Sequence, residues 1–164
     1  MPTQRLVVCE RCGPSPATGS TLFEDLLAKA LGETRQCTEC HAHHVELRLK
    51  FGFGLNASDP ECTVRDCFMP RHPERWRDAD GKEVTFHPFL VVLQRHGREQ
   101  AAWLPYWHTV ERPGRKRAQK YGQWAPLMDF SLFEDLLSQA RAKGYLLGGL
   151  LGPAACGQYD AGPG

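Results

Sequence analysis

Residues 37–51 read Cys37-Thr38-Glu39-Cys40-His41-Ala42-His43-His44-Val45-Glu46-Leu47-Arg48-Leu49-Lys50-Phe51. A Cys-x-x-Cys pair with histidines beside it runs straight into a strict alternation of apolar and charged side chains. Val45, Leu47, Leu49 and Phe51, continued by Phe53 and Leu55, share one side, and Glu46, Arg48 and Lys50 share the other. Neighbouring side chains of a strand point to opposite faces, so this period of two predicts a strand from Val45 to Leu55 with one buried face. Upstream, Arg5-Leu6-Val7-Val8 reads as a short strand leading into a second pair, Cys9-Glu10-Arg11-Cys12-Gly13. Pro14 to Gly19 has loop composition. Thr21-Leu22-Phe23-Glu24 has the form of a capping box, with Leu22, Phe23, Leu26, Leu27 and Ala30 as an apolar stripe and Gly32 as the stop, so a helix is expected there.

The chain has 164 residues and seven cysteines, six of them in close pairs: Cys9/Cys12, Cys37/Cys40 and Cys62/Cys67. Met1 to Arg5 leads into too short an apolar run for a secretory leader, and Tyr145 to Cys156 is too short and glycine-rich to span a bilayer that needs ~20 apolar residues. A soluble, cytoplasmic protein with no membrane partner is expected, and there thiols stay reduced, which favours metal binding over disulfides. A Cys-x-x-Cys turn aims two thiolates to one side with backbone N–H groups pointing at the sulfurs, and two such knuckles complete a tetrahedral zinc site. Gly13 suits the turn after Cys12, because that position asks for positive φ.

Cys9, Cys12, Cys37 and Cys40 thus resemble the ligand pattern of the zinc-ribbon or zinc-knuckle modules, over about residues 7–42 only. The resemblance implies a closed, structural zinc site. The 24 residues between the pairs contain the expected helix, whereas ribbons carry a β-hairpin there. Cys62 and Cys67 are open to three readings: a site shared with Cys37 and Cys40, a second site recruiting His41, His43, His44 or His72, or two small buried apolar residues.

Two other metal readings fit parts of the pattern. Cys37-Thr38-Glu39-Cys40-His41 matches the c-type haem attachment motif, which would require export and would leave Cys9/Cys12 unexplained. The order strand, Cys-x-x-Cys, helix, cysteine pair, strand is also similar to the thioredoxin-like ferredoxins. That resemblance implies an iron–sulfur cluster on four thiolates and electron transfer, or dithiol redox chemistry at Cys9/Cys12.

Downstream, Cys62 to Asp80 reads as irregular from its Pro, Arg and Asp content. Val84 to Gln94 and Gln100 to Tyr106 form a predicted hairpin, with Pro88 indicating an edge or bulge. Ser131-Leu132-Phe133-Glu134 repeats the capping box and begins a helix to Lys143, stopped by Gly144. Leu22 to Leu27 recurs letter for letter as Leu132 to Leu137, a convergence on the same capped amphipathic pattern since nothing around the two copies repeats. After residue 150 a disordered tail is expected, with Cys156 incidental.

The charge is nearly balanced, 20 Lys+Arg against 19 Asp+Glu, which excludes a generally basic nucleic-acid glove. The basic charge is local instead. Arg112, Arg115, Lys116, Arg117 and Lys120, with Tyr121 and Trp124 beside them, combine cations that neutralise phosphates with rings that stack on bases. Arg71, Arg75 and Arg77 around Trp76 make a smaller patch. Motifs for phosphate loops, nucleophile elbows and His-Glu-x-x-His metalloproteases are absent from the sequence, so a binding role outweighs an enzymatic one. The expected fold class is α+β: a Cys-rich metal-binding half over 1–70, packed with a β-hairpin and C-terminal amphipathic helix over 71–150 as one continuous domain. Expected partners are RNA, DNA or protein.

Overall fold

The computed structural model describes residues 2–51, 61–95, 100–111, 118–121 and 128–145. Ten strands and two helices form among them. The α+β expectation is therefore corrected to a mainly β protein of two sheets, in which the hairpin joins the sheets rather than packing beside them. The first sheet contains β1 (Pro2–Cys9), β2 (Gly13–Pro16), β3 (His44–Phe51), β4 (Glu61–Phe68), β7 (Leu90–Arg95) and β8 (Gln100–Trp103), in the order β2-β1-β3-β4-β7-β8. The second contains β5 (Arg75–Arg77), β6 (Glu83–Pro88), β9 (Tyr106–Val110) and β10 (Ala118–Tyr121), in the order β10-β9-β6-β5.

Three of these strands lie where composition suggested loop. Gly13-Pro14-Ser15-Pro16 pairs with β1 as an edge strand, where a proline costs no ladder bond on the open side. β4 fills the stretch from Cys62 onward that looked irregular. A bulge between Val64 and Asp66 breaks its alternation, so Cys62, Val64 and Cys67 all join one core while Phe68 joins another. β5 is only three residues long.

The expected hairpin is real but bent. β7 pairs with β8 in the first sheet and β6 pairs with β9 in the second, so two continuous arms pass through both sheets. The crossing falls at Pro88-Phe89 and Leu104-Pro105, where the Phe89 N–H donates to the Pro105 carbonyl at 2.9 Å. Pro88 thus sits at the kink. Phe89, fully buried there, packs edge-on to Phe23 and Trp107.

The helices cover opposite faces of the first sheet. α1 (Leu22–Ala30) buries Leu22, Phe23 and Leu26 against Leu47, Leu49, Val64 and Val91. Its capping box is complete: Thr21 N–H donates to Glu24 Oε2 at 2.7 Å and Glu24 N–H donates to Thr21 Oγ1 at 3.3 Å. α2 (Phe130–Ala142) buries Leu136, Leu137 and Ala140 against Phe68, Leu90 and Val92. It begins ahead of the expected box, at Asp129, with no side-chain cap. Both helices end in a Schellman turn. Gly32 and Gly144 take φ of 71° and 84°, and the following N–H reaches back to Ala28 and Ala140 respectively.

Cutting Phe89 to Ala will open a cavity where both sheets and α1 meet. We expect a loss of about 3–5 kcal/mol, read as a lower urea midpoint for the metal-loaded protein.

Candidate metal centre

The convergence of the cysteines follows from strand order. Cys9 ends β1, and the Cys9–Cys12 turn closes the β1–β2 hairpin, with Cys9 opposite Gly13. On its other side Cys9 stands opposite His44, the first residue of β3. The Cys37–Cys40 turn lies immediately before β3 and is closed by the Gln36–His43 bridge, with the Cys37 N–H donating to the Ala42 carbonyl at 2.8 Å. Because β1 and β3 are neighbours, the two turns meet at the same end of the sheet. In each, the residue after the second cysteine is left-handed: Gly13 at φ 74° and His41 at φ 58°.

Four sulfurs gather there. Cys9 Sγ and Cys40 Sγ are 3.3 Å apart, Cys12 Sγ and Cys37 Sγ 4.0 Å apart, and all four lie within 4.8 Å of one another. A tetrahedron of thiolates at ~2.3 Å from a zinc ion has edges of about 3.8 Å, so the observed spacings bracket the requirement of a single ion. The six described cysteines are free thiols, so no disulfide competes. Cys9 and Cys37 are buried, Cys40 is half-buried and Cys12 faces solvent. The donor set fits a metal ion such as zinc held by four sulfurs.

Hydrogen bonds set the protonation pattern. The backbone N–H groups of Cys12 and Arg11 lower the Cys9 thiol to about 7, and the Arg11 nitrogen is 3.4 Å from the sulfur. Those of Cys40 and Glu39 lower Cys37, with the His44 ring contributing. Cys12 is pushed up to about 12, first by its hydrogen bond with Cys40 and then by burial. Cys40 is also raised: the Ala42 N–H favours its thiolate, but the Cys9 sulfur, burial and Cys37 outweigh it. The hydrogen bonds thus favour charge on Cys9 and Cys37 and protons on Cys12 and Cys40, and a bound divalent ion would require all four as thiolates.

A buried carboxylate braces both turns. Asp25 on α1, 5% exposed at its side chain, pairs with Arg5 of β1 and with Arg35 at 3.3 Å. It also accepts from Ser20 Oγ at 2.7 Å. Arg5 precedes the first knuckle and Arg35 the second, so one side chain ties the helix to the chain entering each. The sequence carries no signal for this role, because an acid in the first turn of a helix is commonplace. A cavity of about 480 Å³ opens beside the centre, lined by Glu10, Asp25, Lys29, Arg35, His43 and His44 among others. Its acids and bases are mixed and define no ligand class.

The remaining candidates lie elsewhere. Cys62 and Cys67 are buried on β4 among Leu49, Val64 and Val91, outside the sulfur cluster, and burial pushes the Cys67 thiol far up. His41, His43 and His72 are exposed, and none of the three joins the four-sulfur group among the described residues. Arg112, Arg115, Lys116, Arg117 and Trp124 lie outside the described residues, as do Phe53, Leu55, Cys156 and the tail. Lys120 and Tyr121 belong to β10. The order of strands also corrects the thioredoxin-like expectation: a β–α–β crossover would make β1 and β3 parallel, and they are antiparallel.

Among the described residues no helix is long and apolar enough to cross a membrane. No protein-family profile matches the chain, and no curated protein or solved structure matches it significantly. Fold and site together define the class: a β-rich protein with four cysteines clustered at metal-binding distance.

Zinc loading is expected to release protons in a pH-stat, since Cys12 and Cys40 hold theirs more tightly than a free thiol, and affinity will fall with acid as the sulfurs reprotonate. Cys37→Ser will abolish stoichiometric metal binding, whereas Cys67→Ser will leave it intact; plasma emission spectroscopy with thiol counting checks both. Asp25→Asn leaves two guanidiniums without their shared carboxylate. A cost of about 3 kcal/mol in stability is expected, measured by urea unfolding of the loaded protein.

Proposed function

We propose that this protein is a zinc-stabilised binding module that contacts nucleic acid, or a nucleoprotein partner, through the segment from Arg112 to Trp124. The observation that carries the zinc reading is the compactness of the sulfur cluster, all within 4.8 Å. Four protein ligands around one ion leave no open position for water, so the metal supports structure rather than chemistry. The knuckle at the β1–β2 hairpin, with β3 alongside, supports a ribbon-like reading of the front of the chain.

The nucleic-acid reading rests on residue chemistry. Five cations with no acid between Arg112 and Lys120 give a local field that a nearly neutral chain lacks elsewhere. In sequence that run follows Glu111, and its last residue, Lys120, belongs to β10, an edge strand of the second sheet among the described residues. An edge is the accessible part of a sheet, and a polyanion fits its charge.

The competing reading is an iron–sulfur or dithiol redox protein. A two-iron cluster spreads its terminal thiolates over two metals, wider than the single tetrahedron these sulfurs form. Colour separates the two readings at once, since a zinc protein is colourless and an iron–sulfur protein absorbs in the visible.

For the nucleic-acid reading, changing Arg115, Lys116 and Arg117 together to Gln is expected to weaken oligonucleotide binding. It should also flatten the dependence of log K on log salt by about two to three units. Fluorescence anisotropy across a salt series measures both, and a wild-type protein that binds nothing at low salt defeats the reading.

A further inference from the structure

We propose that the sulfur cluster is a redox switch: peroxide exchanges the zinc ion for two disulfides that run between the knuckles, Cys12–Cys37 first and Cys9–Cys40 second. This rests on the zinc reading above and names a regulation of the same site.

Of the four sulfurs, that of Cys12 faces solvent; Cys40 is half-buried, and Cys9 and Cys37 are buried. A small oxidant therefore reaches Cys12 first. The thiol that stands ready to answer is on the other knuckle. Cys37 Sγ lies 4.0 Å from Cys12 Sγ, and Cys40 Sγ lies 3.3 Å from Cys9 Sγ. Side-chain rotation closes either gap to the ~2.05 Å of an S–S bond. Pairing inside a knuckle is harder. It would draw Cys12 back onto Cys9, against the Arg11 N–H that meets the Cys9 sulfur at 3.4 Å and against the Cys9–Gly13 pairing that closes the β1–β2 hairpin. Cys62 and Cys67 supply an internal reference. They are 2% and 5% exposed in the apolar core, and the extended β4 holds them on the order of 15 Å apart. Neither meets peroxide, and they cannot meet each other.

Hydrogen peroxide balances the electrons. The Cys12 thiolate attacks one peroxide oxygen, the O–O bond breaks, hydroxide leaves and a sulfenic acid remains. The Cys37 thiolate then attacks the Cys12 sulfur, an S–S bond forms and a second hydroxide leaves. Two thiolates have lost two electrons, and one peroxide has become two hydroxides, which take two protons from solvent to give water. The site keeps two thiolates, too few to hold the ion. Cys9 and Cys40 follow by the same two steps with a second peroxide. The partners of these cross-links are 25 and 31 residues apart in sequence. A bond within Cys-x-x-Cys would close only a minimal loop, so the bonds between knuckles restrict the unfolded chain far more. The oxidised chain thus keeps the β1–β2 hairpin tied to the turn before β3 without metal, with Asp25 still bracing both. The cross-link changes and the fold stays.

The test treats the zinc-loaded full chain with hydrogen peroxide while a zinc-chelating dye follows the released metal. About one peroxide per chain is expected to release the zinc and about two to consume the four thiols. Digestion after Lys, Arg and Glu separates all four cysteines, because Glu10-Arg11 lies between Cys9 and Cys12 and Glu39 between Cys37 and Cys40. Mass spectrometry should then find the Cys12–Cys37 and Cys9–Cys40 bonds with Cys62 and Cys67 still reduced, and dimedone should trap a sulfenic acid on Cys12. The oxidised protein is expected to unfold at a higher urea concentration than reduced protein stripped by chelator, and a phosphine reductant with added zinc to restore the starting state. Zinc retained under peroxide overturns the inference. Bonds within a knuckle, bonds between chains, or loss of zinc through sulfinic acid alone overturn it too. In each of these cases the stoichiometric zinc measured beforehand leaves the zinc reading standing, whereas a chain that binds no zinc overturns both.

Discussion

Four sulfurs held within 4.8 Å repel one another once ionised, and a cation among them converts that repulsion into a tie between distant parts of the chain. The rest of the front of the molecule is arranged around this requirement. β1 must lie next to β3 for the two knuckles to meet, and α1 must bridge the long connection between them. The N–H groups of Arg11, Cys12, Glu39 and Cys40 favour charge on the sulfurs before any ion arrives. His41 accepts a left-handed backbone, uncommon for a residue with a side chain, so that the second turn can copy the first. Asp25 then fixes the approach of both turns from behind. A metal cross-link there would add to the apolar contacts of a small sheet edge.

What the sequence disclosed depended on whether a signal was local. The cysteine pairs, the capping box at Thr21, the glycines after each helix and the alternation from Leu47 to Phe51 are short-range patterns that the structure contains, whereas Val45, expected on the buried face, is exposed. β2 and β4 were hidden for physical reasons. Two prolines disguise an edge strand, and a single bulged residue shifts the phase of β4 so that alternation fails from one half to the other. The α+β expectation fails for the same cause: prolines and a bulge conceal strands within stretches of loop-like composition. Long-range facts were not legible at all. That Cys62 and Cys67 belong to the apolar core, and Asp25 to the brace behind the knuckles, depends on which strands become neighbours.

The repeated hexapeptide shows how far context decides. In α1 its aspartate, Asp25, is buried between two arginines. In α2 the equivalent Asp135 is partly exposed, accepts the Arg71 N–H at 2.9 Å and ties the helix to the chain leaving β4. One copy covers one face of the first sheet and the other copy covers the opposite face. Identical letters supply the same amphipathic helix, and each acid finds a different tether according to what lies beneath it.

The bent pair of arms that threads both sheets has a mechanical consequence. Separating Val91 from Trp103 in one sheet pulls on the same two segments that hold Phe86 beside His108 in the other. A fluctuation large enough to admit solvent at either end therefore strains the bend at Phe89 and spreads along the arms. The aromatic layer and the layer bearing the sulfurs then open as a single cooperative unit, with their slowest amide protons exchanging at a common rate.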